Sequence, residues 1–115
     1  MNKIKLEYLN ELSGGDADFV ASMLKTYVEE TGSELQLLEE AFKNKDRSRI
    51  SFWSHKIKTS FQMMGLLQLS KTAAELEEKA KNIDIDVDLM LLDLNFIISN
   101  AADSFGQAKR LIEDF

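Results

Sequence analysis

The stretch Ile50-Ser51-Phe52-Trp53-Ser54-His55-Lys56-Ile57-Lys58-Thr59-Ser60-Phe61-Gln62-Met63-Met64-Gly65 decides how this 115-residue chain folds. Its apolar residues recur at alternating steps of three and four, which is the spacing of a helix with one face against a core. This seam consists of Ile50, Trp53, Ile57, Phe61 and Met64. At about 100° per residue, His55 lies roughly 160° from the centre of the seam. We therefore expect the only histidine of the chain on the solvent face of a rigid helix.

The same spacing along the rest of the chain, together with the absence of proline, predicts an all-α protein. A first helix is expected over residues 4–12, with glycines after it, and Asp16 is expected to cap the second helix. Gly32-Ser33 interrupts the next seam, either as a kink or as a break with Ser33 capping the following helix. The helices from about Ser33 onward favour an antiparallel four-helix bundle with an additional N-terminal helix or helices.

Two later segments mark the limits of helices. Gly65 is placed to end the His55 helix in a left-handed conformation. The run Ile83-Asp84-Ile85-Asp86-Val87-Asp88-Leu89 alternates apolar and acidic residues, which is a strand pattern without a partner strand. We interpret it as an extended connection in which Asp86 or Asp88 caps the next helix. Because no linker or internal repeat is visible, we predict one domain over residues 1–115.

The composition argues against several classes of function. Without cysteine there is no disulfide framework, thiol nucleophile or thiolate metal site, and one histidine cannot supply a metal centre in a helical bundle. No glycine-rich phosphate loop is present, so we expect neither ATP binding nor a kinase activity, and the chain is not expected to be an enzyme. No apolar run approaches the roughly 20 residues that span a bilayer, and the start lacks a secretory signal. We therefore expect a cytoplasmic protein without membrane insertion.

The charge is unevenly distributed. The net charge of −6 argues against nucleic acid as a partner, because phosphate binding needs a basic face. Residues 43–58 nevertheless carry six basic residues and one acid, a local balance of +5 against −11 for the rest of the chain. An ordinary solvated helix face would also look like this. Because His55 lies inside this basic segment, we favour a landing site for a small anion or an acidic protein surface.

An exposed imidazole flanked by lysines suits phosphoryl transfer. Near neutral pH a large fraction of such an imidazole is uncharged and nucleophilic. It can attack phosphorus through one ring nitrogen when a hydrogen bond holds the other. Lys58 lies about one helical turn from His55, so its ammonium can reach phosphoryl oxygens. Lys56 can attract the incoming anionic partner.

The run His55-Lys56-Ile57-Lys58-Thr59-Ser60, followed by Gly65-Leu66, resembles the signature of the histidine-containing phosphotransfer (HPt) domain of two-component phosphorelays. That signature is approximately H-x-L-K-G-S, with a glycine ten positions after the histidine. Gly15-Asp16-x-x-Phe19 and Leu76-Glu77 also resemble the family's pattern. Thr59 stands where the family usually has glycine, and Phe61 where it usually has a small residue. The family's glycine is associated with close approach of a partner. We therefore expect Thr59 to affect the docking of a partner more than the phosphoryl transfer itself.

The resemblance implies a phosphoryl carrier in phosphorelay signalling. His55 would accept a phosphoryl group from the aspartyl phosphate of one receiver domain and pass it to the aspartate of another. Lys58 would stabilise the transferred group, and Glu77 would orient the histidine from the adjacent helix. The implied partners are response-regulator receiver domains and a hybrid histidine kinase. Magnesium would belong to the receiver, and no cofactor or metal is implied for this chain.

Helix geometry is compatible with these assignments. His55 lies ten residues before Gly65 and Glu77 twelve after it, so folding back at Gly65 brings both to about the same height. Phe52, one turn before His55, is either covered by the N-terminal helices or an apolar contact for the receiver. The predicted partner surface consists of Phe52, Lys56, Thr59 and Gln62.

A second function remains open at this point. The chain could be a non-phosphorylated helical adaptor on the same fold, which binds receiver or kinase domains through the same surface. The intact pair of His55 and Lys58 favours the carrier, because an adaptor has no need of either group. In both cases we expect a monomer.

Overall fold

The computed structural model describes residues 3–115, and this part of the chain contains helices and turns but no β-strand. Helices α2 and α3 run on through a π-helical turn and pair with α4, α5 and α6 as a closed bundle, since α2 packs against α6. The all-α class and the four-helix bundle with an additional N-terminal helix are thereby confirmed. The elements in order are α1 (Glu7–Ser13), α2 (Ala17–Thr26), the π turn (Tyr27–Thr31), α3 (Gly32–Lys43), α4 (Arg47–Met63), α5 (Leu67–Lys81), a 3₁₀ turn (Val87–Met90) and α6 (Leu91–Glu113).

The reversal between α4 and α5 has the geometry that the sequence predicts at Gly65. The Leu66 N–H donates to the Phe61 carbonyl at 2.9 Å, and the Gly65 N–H donates to the Gln62 carbonyl at 3.0 Å. This pair of bonds is a Schellman motif, in which the residue after the helix is left-handed. Gly65 has φ +71°. The chain therefore reverses within a few residues, and α5 packs along α4 in the antiparallel direction.

The buried face of α4 is the predicted seam. Ile50, Ile57 and Phe61 are fully buried, and Met64 is nearly so. Trp53 belongs to the same seam but lies at the edge of the core, partly exposed, beside a surface hollow that it lines with Leu37. The face of α4 opposite to this seam is consequently free to carry polar side chains into solvent.

The chain before α1 differs from the prediction of a helix that begins at residue 4. The Lys5 N–H donates to the Met64 carbonyl at 2.9 Å, and the Ile4 N–H donates to Oε1 of Gln107 at 2.8 Å. These bonds hold residues 4–5 across the ends of α4 and α6, so α1 begins only at Glu7. The end of α1 and the predicted Asp16 cap are confirmed, because the Asp16 carboxylate accepts hydrogen bonds from two N–H groups of the first turn of α2.

The predicted interruption at Gly32-Ser33 is neither a break nor a cap. Gly32 is helical, with φ −58°, and the Ser33 hydroxyl donates to the Glu29 carbonyl instead of capping a new helix. The irregularity precedes it as the π turn, a form that inserts one residue into a helix. There the buried Tyr27 hydroxyl is hydrogen-bonded to the Ser104 hydroxyl at 2.6 Å. This contact with α6 anchors the wider turn, and no sequence pattern within the α2–α3 segment reveals it.

The alternating acidic segment is a connection with a cap, as predicted, but it is not extended throughout, because its second half forms the 3₁₀ turn Val87–Met90. The Asp86 carboxylate accepts from the Asp88 N–H at 2.9 Å and caps the 3₁₀ turn, of which Val87 and Met90 are buried. The guanidinium of Arg47, at the start of α4, donates to backbone carbonyls of Asn82 and Ile85. Arg47 therefore ties this connection to the bundle.

Helix α6 completes the core. It is the longest helix, with 23 residues, and its buried side chains recur with helical spacing. These are Leu94, Ile97, Ala101, Ser104 and Ala108. Across residues 3–115, no helix combines the length and the apolar character that crossing a membrane requires.

Replacing Gly65 by alanine tests the reversal. A Cβ at this position would lie 2.6 Å from Cβ and 2.8 Å from the carbonyl oxygen of Lys5, in a backbone conformation that L-residues rarely adopt. We expect Gly65→Ala to lower the free energy of unfolding by about 2–3 kcal/mol, measured by urea denaturation. Gly14→Ala is the matched control, because φ is +65° there but no atom lies within 4 Å. It should cost only about 1 kcal/mol, and equal losses would contradict the proposed clash.

Candidate functional site

The His55 side chain projects from α4 on the face opposite the core, and 61% of its surface is exposed. Its Nδ1 atom lies 3.0 Å from Oε2 of Glu77 on α5. The structure thus brings together two residues that are 22 positions apart in sequence, at the height that their distances from Gly65 indicate. The other ring nitrogen, Nε2, is not part of this contact.

Glu77 is the centre of the polar contacts around His55. It is only 7% exposed, and both of its oxygens have cationic partners. Lys58 lies 2.9 Å from Oε1, and Lys81 lies 3.3 Å from Oε2, the oxygen that also contacts His55. One buried carboxylate therefore holds an imidazole and two ammonium groups.

The charge of Glu77 determines which role Nδ1 of the ring has in the hydrogen bond. Burial alone would raise the pKa of Glu77, but the hydrogen bonds from Lys58 and Lys81, the charge of Lys58 and the hydrogen bond from His55 hold the pKa below its usual value. An ionised carboxylate can only accept hydrogen bonds, so Nδ1 of His55 must be the donor. In the neutral imidazole, Nε2 then carries the free lone pair and faces away from Glu77.

Lys58 contacts α5 through both its side chain and its backbone carbonyl. Its side chain is 24% exposed and directed to Glu77, and its carbonyl accepts a hydrogen bond from the buried Ser70 hydroxyl of α5 at 3.3 Å. This second link between α4 and α5 lies one turn from His55. It contributes to the register in which the imidazole, the ammonium and the carboxylate meet.

Phe52 lies uncovered next to the site. It is 55% exposed and packs edge-on against Trp53, with ring centroids 4.8 Å apart. The Lys56 ammonium lies 5.9 Å from the Phe52 ring centre and 3.9 Å from the carboxylate of Glu34. The interpretation in which N-terminal helices cover Phe52 is therefore wrong, because α1 packs mainly on α2. An apolar ring with a neighbouring cation remains exposed one turn before His55.

Thr59 and Gln62 are exposed on the other side of His55. Together with Met63 they line a shallow hollow that is completed by Tyr8 of α1. Tyr8 is 49% exposed, and sequence reasoning missed it. Only the packing of α1 brings a residue so distant in sequence to the end of this surface, so no local pattern could have identified it.

The basic segment of residues 43–58 is less open to partners than its sequence indicates. Arg47 binds backbone carbonyls, Arg49 pairs with Asp46 at 3.3 Å, and Lys58 contacts Glu77. These cations satisfy groups of the chain itself. The other three basic residues, Lys43, Lys45 and Lys56, are exposed, and Lys56 is the one beside His55. Within residues 3–115, no group of three or more histidine, aspartate or glutamate side chains is arranged to hold a metal ion.

A helical bundle that presents an exposed histidine, hydrogen-bonded to a buried carboxylate that also binds a lysine, has the arrangement that the resemblance to the HPt family implies. The sequence model of the Hpt domain matches residues 22–113, and the chain belongs to the Hpt domain family. Its role is histidine phosphotransfer in phosphorelay signalling. Hpt domains are phosphocarriers rather than kinases, and they work with receiver domains and histidine kinases.

The fold is similar to a solved structure. The crystal structure of histidine-containing phosphotransfer protein B (HptB) from Pseudomonas aeruginosa PAO1 matches with a TM-score of 0.86 and 20% sequence identity. The match covers 97% of this chain and 96% of that chain. At this level of identity the likeness establishes the shared fold. Among curated protein sequences, none matches this chain significantly.

The pH dependence of stability tests the charge of Glu77. Because its pKa is lower in the folded chain, its contribution is present above the ordinary glutamate pKa of about 4.3 and is lost as the pH falls through the lower folded value. We expect Glu77→Gln to be less stable than wild type by about 1 kcal/mol at pH 7, with a difference that shrinks below about pH 4. Urea denaturation across this range measures it.

Glu78→Gln is the matched control for this experiment. Glu78 also pairs with Lys81, at 3.7 Å, but it is 76% exposed. We expect its replacement to leave the pH profile of the free energy of unfolding unchanged within a few tenths of a kcal/mol. A Glu77→Gln profile parallel to that of wild type would contradict an ionised, hydrogen-bonded Glu77.

Proposed function

We propose that His55 is the phosphoryl acceptor of this protein, taking a phosphoryl group from a receiver-domain aspartate and passing it to another receiver aspartate. The observation that carries the proposal is the 3.0 Å contact between Nδ1 of His55 and the buried Glu77 carboxylate. This contact places the proton on Nδ1 and leaves the lone pair of Nε2 directed to solvent. A receiver that docks on α4 meets that lone pair first.

The transfer is balanced without a further co-reactant. The Nε2 lone pair attacks the phosphorus of the aspartyl phosphate, an N–P bond forms, and the P–O bond to the aspartate breaks with its electron pair on the leaving carboxylate. The Nδ1 proton stays on the ring, so the ring becomes positively charged. The Glu77 carboxylate stabilises that charge through the bond to Nδ1. Transfer to the second receiver is the same step in reverse.

Lys58 supplies the cation for the phosphoryl group. In a loose transition state the charge spreads over the equatorial phosphoryl oxygens, and a positioned ammonium stabilises it. Lys58 lies one turn after His55, and its ammonium rests on the carboxylate that binds the imidazole. A short movement of a flexible side chain therefore brings the ammonium from Oε1 of Glu77 to the phosphoryl oxygens.

The partner proteins would supply the metal ion and the source of the phosphoryl group. Magnesium is expected on the receiver domain, and this chain is expected to use neither a metal nor ATP. A hybrid histidine kinase and response-regulator receivers are the proposed partners, and the protein is proposed to act as a cytoplasmic monomer. The docking surface would be Phe52, Lys56, Thr59 and Gln62, which surround His55 on the exposed side of α4.

The helical adaptor remains the second candidate, and Thr59 is the observation that favours it. Thr59 is exposed one turn after His55, where the family usually has glycine. A side chain at this position holds a docked receiver further from the imidazole than a glycine does. An adaptor would bind receiver domains but would not be phosphorylated, so phosphorylation of His55 separates the two functions.

Incubation with a phosphorylated receiver domain tests the acceptor. We expect wild type to acquire an acid-labile, alkali-stable label, and His55→Gln to acquire none while keeping its helical content.

Lys58→Ala should be labelled about 10- to 100-fold more slowly, because a cation at the transition state is lost. Lys25→Ala, which removes an exposed lysine from α2, should be labelled at the wild-type rate. Stable binding of receivers without any label would instead establish the adaptor.

The apolar contact proposed for Phe52 makes a separate prediction. Phe52→Ala should raise the KM for the phosphorylated receiver about 5- to 20-fold, because an exposed aromatic contact is lost. The hydrolysis rate of the phosphorylated histidine should not change, since Phe52 does not contact the Glu77 cluster. Leu92→Ala is the matched control, because Leu92 is 82% exposed but lies on α6. A KM that changes equally in both variants would remove Phe52 from the docking surface.

A further inference from the structure

Lys81 contacts the same carboxylate oxygen as the histidine. Its ammonium lies 3.3 Å from Oε2 of Glu77, and Nδ1 of His55 lies 3.0 Å from that oxygen. Lys81 is the last residue of α5 and follows Glu77 by four positions, which is a favourable spacing for an ion pair. A cation at the C-terminal end of a helix is also favoured by the helix dipole.

Phosphorylation of His55 changes the charge around Glu77. At rest the carboxylate has two ammonium partners and accepts a hydrogen bond from the imidazole. When Lys58 moves to the phosphoryl oxygens, Oε1 of Glu77 loses its cation while two negative charges arrive nearby. If no cation remained on it, a buried carboxylate next to the doubly charged phosphoryl group would be strongly destabilised and would tend to take up a proton. A protonated Glu77 would no longer offset the positive charge of the ring, and its hydrogen bond with Nδ1 would be weaker.

We propose that Lys81 is a positioning residue for the transfer, which keeps the Glu77 carboxylate charged and on Nδ1 of His55 while Lys58 is engaged with the phosphoryl group. This inference rests on the proposed function of His55. Lys81 forms no covalent bond and transfers no proton in the step. Its effect on the ring passes through Glu77, because both Lys81 and His55 contact Oε2.

The ion pair with Glu78 explains the position of the Lys81 side chain less well than the contact with Glu77 does. The Glu78 carboxylate lies 3.7 Å from the Lys81 ammonium, and both side chains are more than half exposed. Exposed pairs of this kind contribute little to stability. The charged and titratable groups shown to face Glu77 are His55 and Lys58 from α4 and Lys81 from α5. Removing Lys81 therefore removes one of only two cations that these contacts provide.

The test compares Lys81→Met with Lys71→Met. Lys71 is an exposed lysine of the same helix, six positions before Glu77, so the two variants have the same net charge and lose the same kind of side chain. We expect Lys81→Met to lower the rate of phosphotransfer at saturating receiver about five- to tenfold, and Lys71→Met to stay within about twofold of wild type. Lys81→Arg should restore most of the rate, because it replaces the cation.

Two further measurements separate this role from a merely structural one. The phosphotransfer rate of Lys81→Met should begin to fall at a higher pH than that of wild type, because Glu77 then takes up a proton more easily. In ¹⁵N spectra of the imidazole, Nδ1 should remain protonated and hydrogen-bonded in unphosphorylated Lys81→Met, because Lys58 still holds Glu77. The Nδ1 hydrogen bond should weaken only after phosphorylation. Circular dichroism and urea denaturation verify the fold of each variant.

The outcomes distinguish the inference from the function on which it rests. If wild type and Lys71→Met are not phosphorylated by any receiver, the proposed function fails. If both are phosphorylated and Lys81→Met matches them in rate, pH profile and imidazole spectrum, the function stands and the role of Lys81 is overturned. A fall in rate that Lys81→Arg does not restore would also overturn it, because the effect would then not depend on charge.

Discussion

The antiparallel pairing of α4 and α5 through the left-handed Gly65 is the constraint on which the site depends. The reversal takes place within a few residues, so the register between the two helices has little freedom. Lys5 packs against Gly65 from the N-terminal segment and fills the space that a side chain would need. Because the register is set there, His55 and Glu77 meet about three turns away, although neither contributes to the turn. A small rotation of α5 would turn the carboxylate to solvent.

Glu77 is the residue through which the register of α4 and α5 determines the properties of the site. A carboxylate that is nearly buried keeps its charge because cations surround it, and one of them, Lys58, is the residue proposed to stabilise the phosphoryl group. The resting protein thus holds Nδ1 of the imidazole as a hydrogen-bond donor and keeps the Lys58 ammonium on the same carboxylate before any partner arrives. Such preorganisation lowers the reorganisation needed during transfer. The same carboxylate couples His55, Lys58 and Lys81, so their effects on transfer should not be additive.

The surface around His55 combines apolar and charged groups from separate parts of the chain. Phe52 precedes the histidine on α4 and Lys56 directly follows it, whereas Thr59 and Gln62 lie further along α4 beside Tyr8 of α1. Three of the basic residues, Arg47, Arg49 and Lys58, contact groups of the chain itself. If this surface docks a receiver as proposed, its shape would contribute to partner choice, and Thr59 is where it departs from the family's usual glycine.

Local constraints were predictable from the sequence by itself. The apolar seam of α4, the solvent-facing His55, the caps at Asp16 and Asp86 and the left-handed Gly65 all follow from helical periodicity and backbone sterics, which act over a few residues. The tertiary structure alone decided which distant groups meet. The π turn at Tyr27, the attachment of Arg47 to the connection before α6, Tyr8 beside Thr59, and the burial of Glu77 between two lysines depend on how helices pack. Lys81 follows Glu77 at the i+4 spacing of an ion pair, but only packing placed the carboxylate oxygen that it contacts against the imidazole. The sequence contains the spacing along one helix and not the distance between two helices.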